Sequence, residues 1–409
     1  MRPLDDALAD LLGRAGPLAG AERVATFDAD GRVLAEELVS ALQVPPQDNS
    51  SMDGYAVRRA EIADQGVVLP VSQRIPAGHA AEPLRPGTVA RIFTGAPVPP
   101  GADAVVMQED TEPAGEGQVR ILRVPDSGQW IRRSGEDVAR GAVVLERGHR
   151  LDPAACGLAA SIGRAELLVA RRPRVALFST GDELVMPGAV PPERMAPGAI
   201  YNSNRFFLRQ LLLRCGCEVT DLGIVPDRRD ATVRALQEAA GAHDLILTSG
   251  GVSVGEEDHI KPAVQQLGSL DLWQIAMKPG KPFAYGSIAR GAEEGDDAHF
   301  IGLPGNPVSS FVTFLLLVRP FLLKLQGAQR LVPTAIELPA HFEWKRPDKR
   351  REFLRVRRDA EGGLELYPNQ SSGVLTSTVW ADGLVDNPPG RAIAPGDRVR
   401  FLPISELLG

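Results

Sequence analysis

The stretch Asp244-Leu-Ile-Leu-Thr-Ser-Gly-Gly-Val-Ser-Val-Gly-Glu-Glu-Asp-His-Ile-Lys261 reads as a buried strand, a glycine-rich loop and acids opening a helix. Gly250, Gly251 and Gly255 let a backbone approach a ligand and offer amide N–H groups to phosphate oxygens, while Ser249 and Ser253 add hydroxyls. Gly250 to Gly255 has the glycine spacing of a Walker A loop. Glu256 and Glu257 stand where that loop needs Lys and Ser/Thr, which excludes a nucleoside-triphosphate P-loop. Acids there suit a divalent metal or a helix first turn stabilised by its dipole. The second reading is the better one for Glu256 or Glu257 alone, whereas Asp258 beside the glycines reads as functional.

Around this stretch, residues 171–326 alternate strand and helix. Strands are expected at Arg174–Ser179, Glu218–Val225, Leu245–Thr248 and Phe300–Leu303, and helices at 203–214 (capped by Asn202 or Ser203), 230–240, 258–267 and 308–325. Such alternation implies a three-layer α/β domain, its sheet mainly parallel and covered on both faces. Ligands of such sheets sit outside the carboxyl ends of the strands. Three loops fall there: Thr180-Gly181-Asp182-Glu183, Ser249-Gly250-Gly251-Val-Ser253 and Pro304-Gly305-Asn306-Pro307. Asp182 and Glu183 read equally as metal ligands and as a helix cap with a first-turn acid. Met277-Lys278-Pro279-Gly280-Lys281-Pro282 sets two lysines around a rigid turn, an arrangement that suits a dianion.

The flanks differ. Leu4, Ala7, Leu8, Leu11 and Leu12 mark an amphipathic helix over 3–15, and Leu34, Leu38 and Leu42 predict a second over 32–42, stopped by Val44-Pro45-Pro46. Residues 46–140 are short β-prone segments between turns. The 150–170 segment is helix-like again, which makes the β-module an insertion. Residues 328–409 are β-prone and predict a small barrel or sandwich. The expected division is 1–45 with 141–170 (helical, linking), 46–140 (inserted β-rich), 171–327 (α/β) and 328–409 (C-terminal β-barrel).

Composition sets limits. The 409 residues exceed one ordinary core. Net charge of −7 argues against a general nucleic-acid binder or a polybasic membrane-surface protein. No membrane span and no signal peptide is read, and three sparse cysteines suggest a reducing, cytoplasmic setting. The scattered histidines show no zinc spacing.

Seven strings, in order along nearly the whole chain, resemble the molybdopterin molybdenumtransferases (MoeA, and the C-terminal domain of gephyrin). They are Asp48-Asn-Ser-Ser-Met-Asp-Gly-Tyr-Ala-Val57, Thr94-Gly-Ala-Pro97, Gly135-Glu-Asp137, Ser179-Thr-Gly-Asp-Glu-Leu184, Thr248-Ser-Gly-Gly-Val-Ser-Val-Gly255 with Asp258, Met277-Lys-Pro-Gly-Lys-Pro282 and Gly302-Leu-Pro-Gly-Asn-Pro307. The chain departs at Gln129-Trp130-Ile131-Arg132, where the family more often has Asn before Ile-Arg. The resemblance implies an elongated four-part subunit and a homodimer with shared active sites. It implies joining of molybdate to adenylylated molybdopterin with magnesium (Mg2+) and release of AMP. It assigns Asp182, Glu183 and Asp258 to the metal, and Ser249, Gly250, Gly251 and Ser253 to the pterin phosphate, beside the turns Ser179-Thr180-Gly181 and Pro304-Gly305-Asn306. It assigns Lys278 and Lys281 to the oxyanion, completed by Arg351 and Ser372, and brings Asp53, Thr94 and Asp137 from the partner subunit. A molybdopterin adenylyltransferase and molybdoenzyme chaperones are the implied protein partners. An adenylyltransferase-like enzyme and a non-catalytic molybdopterin-binding or scaffold module are the competing readings.

Overall fold

Six strands form the central sheet, in the order Glu218–Val225, Arg174–Thr180, Leu245–Ser249, Asp297–Leu303, Pro282–Ala289, Gly268–Gln274. The structure is a computed structural model and describes residues 1–226, 228–251, 259–290 and 297–408. The first four strands are parallel and the last two antiparallel. The sheet is therefore mixed where the sequence suggested mainly parallel pairing. Only residues 275–281 join the last two strands in the chain, too few for the crossover that parallel neighbours need.

Side chains alternate across this sheet with the strand period of two. Val175, Leu177, Leu245 and Leu247 face one core, with Leu208, Leu211 and Leu212 of helix Ser203–Arg214 and the apolar face of helix Pro307–Leu325. Ala176, Phe178 and Ile246 face the other, under helices Arg229–Ala242 and Ile260–Leu267. Asn202 caps the first of these helices by accepting the Arg205 N–H at 3.2 Å. Helix Pro307–Leu325 has the length and hydropathy (1.8) of a membrane span, more than the sequence reading credited. It is a core helix, since 83% of its most apolar window is buried.

The N-terminal helix, Leu4–Gly13, lies on the α/β body: Leu4, Ala7 and Leu11 join its core, and Arg2 bonds through its backbone to Gln274 and Ala276. The second helix expected over 32–42 is absent. Leu34 and Leu38 are buried, but the stretch forms turns and the short strand Leu38–Val39, paired with Val143–Leu145. The expected 150–170 helix shrinks to Pro153–Ser161, capped by Asp152. It gives way to strand Glu166–Ala170, which pairs antiparallel with Ala21–Ala25 and so returns the chain to its start. Beyond the N-terminal helix, the linking region is thus built of ribbons with one further α-helix.

Between these returns lies a six-stranded sheet, in the order Ala104–Met107, Gly54–Val57, Val89–Ile92, Val68–Ile75, Gln118–Ile121, Thr111–Pro113. At its side Trp130 adopts φ 59°, a left-handed conformation that Asn tolerates better than a bulky ring, at the point where the sequence departs from the family pattern. In the C-terminal domain Arg351–Arg358, Gly383–Asn387, Arg398–Pro403 and Ile336–Pro339 pair in that order, and Leu364–Leu366 adds to the first. A bridge between Ala340 and Leu364 joins the two edges into a small barrel.

The α/β body also holds a titrating reporter. His299 is bonded to the Tyr285 hydroxyl at 2.8 Å and packs edge-on against Phe321. Burial, aided by the Arg290 charge, pushes its pKa down to about 4. In the unfolded chain it titrates near 6.5, so between those values the unfolded state binds more protons. Stability supplied by the neutral ring is present above pH 6.5 and falls as pH drops toward 4. Urea denaturation should lose on the order of 3 kcal/mol across that window through this residue, and His299→Gln should remove that component of the slope. An unchanged slope in His299→Gln would place the acid sensitivity elsewhere.

Candidate active site

Two cavities open at the carboxyl end of the central sheet and share Asn306 as a common wall. The first, about 600 Å³, is lined by Thr180, Glu183, Asn202, Ser249, Gly250 and Gly305 among others. Its floor is made by parallel strand ends. Gly250, at φ 89°, donates its amide to the Leu303 carbonyl at 3.0 Å, so that N–H serves the loop rather than a ligand. Gly251 is needed at φ 66°, because a Cβ there would meet Ile260 Cδ1 at 2.4 Å. The Glu183 carboxylate lies against the Gly181 turn, where an added Cβ would sit 2.5 Å from it. Asn204 donates to the Gly305 carbonyl at 2.7 Å and ties the third loop to helix Ser203–Arg214.

The second cavity, about 390 Å³, is lined by Lys278, Gly280, Lys281, Ser309, Arg350, Gln370, Ser371 and Ser372. Backbone pairing explains why these meet. Met277–Lys278 leaves the α/β body to pair parallel with Arg351 and Glu352 of the C-terminal domain. The Val308 N–H donates to the Ser372 carbonyl at 3.0 Å, which docks the serine loop on the start of helix Pro307–Leu325. That helix start adds its positive dipole end between the two cavities.

The charges in this cavity are graded. Lys278 Nζ is 3.3 Å from Glu352 and 3.7 Å from Asp348. Glu352 is 1% exposed and also accepts the Trp344 indole N–H at 2.7 Å. Arg350 forks onto Asp348 at 2.9 and 2.8 Å; with Lys278 it holds that carboxyl well below the usual range. Lys281 has no carboxylate partner among the described residues, which leaves it the cation most available to a ligand.

Sequence expectations fare unevenly at these cavities. Thr180, Glu183, Ser249, Gly250, Gly305, Asn306, Lys278, Lys281 and Ser372 line them. Ser179 is fully buried and its hydroxyl has no partner among the described residues, and Pro304 is buried behind its loop. Asp182 is exposed beside Glu183 without lining either cavity. Arg351 is clamped on Asp386 at 2.5 and 2.7 Å and on Asp5 at 2.8 Å, so its neighbour Arg350 supplies the guanidinium. Arg350 lies in the bend just before strand Arg351–Arg358, and nothing local says which of the two guanidinium groups enters the cavity. Arg355 is a second residue the sequence reading missed. It is 1% exposed, its pKa is pushed down to about 10 by burial, and it bonds the Ser371 carbonyl at 3.3 Å. Gln370 brackets its backbone, so Arg355 anchors the serine loop from beneath.

In the β-module, Asp53 accepts the amide and the hydroxyl of Thr94, both at 2.7 Å, and these bonds hold its carboxyl below the usual range. Asp137 is exposed on the neighbouring loop, its N–H given to Val44. Asp53, Thr94 and Asp137 line neither cavity of their own chain. Ser253 and Asp258, with Glu256 and Glu257, lie outside the described residues. Among the described residues no group of three or more acids, histidines or cysteines is placed to hold a metal.

Three family models match in sequence order: MoeA N-terminal region (domain I and II) over residues 2–163, probable molybdopterin binding domain over 176–324, and MoeA C-terminal region (domain IV) over 337–404. A molybdopterin molybdenumtransferase of Haemophilus influenzae is 37% identical, covering 100% of both chains. One from a Nostoc species is 35% identical over 93% of this chain and 88% of its own. The crystal structure of a molybdopterin biosynthesis moeA protein from Pyrococcus horikoshii OT3 superimposes with TM-score 0.82 at 27% identity, covering 98% of this chain and 99% of that one. The chain belongs to the molybdopterin molybdenumtransferase (MoeA) family, transferases of molybdenum cofactor biosynthesis.

Proposed function

We propose that this chain inserts molybdate into adenylylated molybdopterin and releases AMP. The observation that carries this reading is the junction at Asn306 of a strand-end cavity lined by hydroxyls and glycines with a smaller cationic one. The first suits a pterin-linked nucleotide, whose phosphates meet Ser249 and the start of helix Pro307–Leu325, with Gly250 leaving room for their approach. The second suits a tetrahedral dianion. Lys281 supplies an uncommitted charge, Arg350 the guanidinium N–H donors that its fork onto Asp348 leaves over, and Ser371 and Ser372 hydroxyl donors. Holding both ligands against one asparagine makes their reaction effectively intramolecular.

The residues present fit a magnesium ion. Magnesium takes oxygen ligands and keeps several waters, needing one or two carboxylates besides substrate phosphates. Glu183 at the cavity wall, with Asp182 beside it, supplies such carboxylates, and Asp258 is the third acid in this reading. When bound, the ion would neutralise charge on the phosphate oxygens as the phosphoanhydride is cleaved.

The reading also assigns a homodimer. Asp53 and Thr94 are fixed to one another yet line neither of these two cavities in their own chain, which fits residues supplied to a second copy. The three unpaired cysteines fit the cytoplasm. The test is incubation with adenylylated molybdopterin, molybdate and magnesium. Molybdate-dependent AMP release is expected from the wild-type chain. Neither Asp53→Asn nor Glu183→Ala alone should support it. Mixing the two variants after mild dissociation should restore about a quarter of the wild-type rate, because one site in each mixed dimer is intact. No recovery on mixing removes the shared site; no AMP release from the wild type returns the chain to a binding module.

A further inference from the structure

A third cavity, about 740 Å³, shares no lining residue with the other two. Five guanidinium groups line it: Arg150, Arg172, Arg214, Arg319 and Arg330. It lies where three parts of the chain meet. Arg150 comes from the linking region, Arg172, Arg214 and Arg319 from the α/β body, and Glu406 from the final helix, Ile404–Leu408.

None of the five arginines is within salt-bridge distance of a carboxylate among the described residues, although Asp30, Asp152 and Glu406 line the same cavity. Elsewhere several guanidinium groups of this protein pair with carboxylates, as Arg32 does with Glu22, Arg171 with Asp244 and Arg351 with Asp386, while the buried Arg355 bonds only carbonyl and hydroxyl oxygens among the described residues. Here the bonds go to carbonyl oxygens. Arg150 donates to Gly31 at 3.4 Å and Arg214 at 3.0 Å, Arg172 to Gly216 at 3.1 Å, and Arg319 to Leu331 at 3.0 Å and Glu406 at 3.1 Å. The side chains of Arg214 and Arg330 have no hydrogen-bond partner among the described residues. Arg319 is only 7% exposed, and a guanidinium buried without an anion is costly. Burial and the neighbouring Arg150 charge both lower its proton affinity. Asp152 is already committed to capping helix Pro153–Ser161.

We propose that this cavity binds a phosphate-type oxyanion, which clamps the linking region and the C-terminal helix onto the α/β body. Planar guanidinium forks match tetrahedral oxyanions through paired N–H donors. Five cations against three carboxylates leave an excess of two charges, which matches a dianion. The cavity is larger than one phosphate, so the anion is either free inorganic pyrophosphate or the phosphate of a nucleotide.

The test uses the full chain, with calorimetric titration of inorganic pyrophosphate and, separately, AMP. The wild type is expected to bind one of them saturably, more weakly as salt rises, with its melting temperature increasing on binding. Arg214→Gln combined with Arg330→Gln alters two exposed side chains that make no hydrogen bonds among the described residues, so circular dichroism should be unchanged. That double variant should lose this binding site or weaken it about tenfold or more, whereas Lys278→Ala with Lys281→Ala should keep it. Tighter binding of pyrophosphate assigns the inorganic anion, and tighter binding of AMP the nucleotide. No saturable binding of either at millimolar concentration overturns the proposal. So does binding that survives in the arginine variant and vanishes in the lysine variant.

Discussion

Molybdate-dependent AMP release is expected to fall by about three orders of magnitude when Lys278→Ala and Lys281→Ala are combined, because on the proposed reading each removes a charge that faces the oxyanion. The two single variants are expected to differ. Lys281 has no carboxylate partner among the described residues, so Lys281→Ala should lower turnover about a hundredfold without moving the melting temperature. Lys278 also compensates Glu352, which is 1% exposed. Lys278→Ala should therefore cost stability as well, about 1–2 kcal/mol, the full cost of breaking a buried pair being discounted because Lys278 itself is 39% exposed. Steady-state rates at varied molybdate, with urea denaturation alongside, separate the two effects. A double variant within tenfold of wild type would remove the cationic cavity from the reaction.

Gly280→Ala should be nearly as damaging, through shape rather than charge. Gly280 sits at φ 107°, and a Cβ there would lie 2.3 Å from Thr313 Oγ1, 3.3 Å from Met277 Cε and 3.4 Å from the Ser309 carbonyl. Thr313 is fully buried on the core helix, so the lysine loop must yield rather than the helix. The expected cost is about 3 kcal/mol, with turnover down about a hundredfold as both lysines are displaced. Thr313→Ala in the same chain relieves the contact at little cost, since the threonine hydroxyl has no hydrogen-bond partner among the described residues, but it leaves the positive φ. Partial recovery is therefore expected. A Gly280→Ala variant as stable as wild type would show that the close approach does not constrain the loop.

Which elements could be read in advance follows from how local their causes are. The helices and parallel strands of the α/β body carry their signal in side-chain period and caps within a few residues, as Asn202 does at the start of Ser203–Arg214. The loops at the strand ends follow from that alternation, and so does the meeting of Thr180, Glu183, Ser249 and Asn306 in one cavity. The 32–42 stretch was misleading because a four-residue spacing of leucines suits both a helix and an extended chain burying alternate residues.

The rest depends on contacts far apart in the chain. Arg350 rather than Arg351 lines the second cavity, and the pairing of Met277–Lys278 with Arg351–Arg358 that brings it there joins segments some seventy residues apart. Arg355 anchors the serine loop through a buried charge that no local pattern announces. The third cavity gathers arginines from positions 150, 172, 214, 319 and 330. Local propensity is a property of neighbours and is written into the sequence, so it specified the α/β body and the chemistry of its loops. Burial, strand phase and charge pairing are properties of the assembled chain. They alone selected which cations line the cavities at the strand ends, which are spent on structure, and which stand together without a carboxylate partner among the described residues.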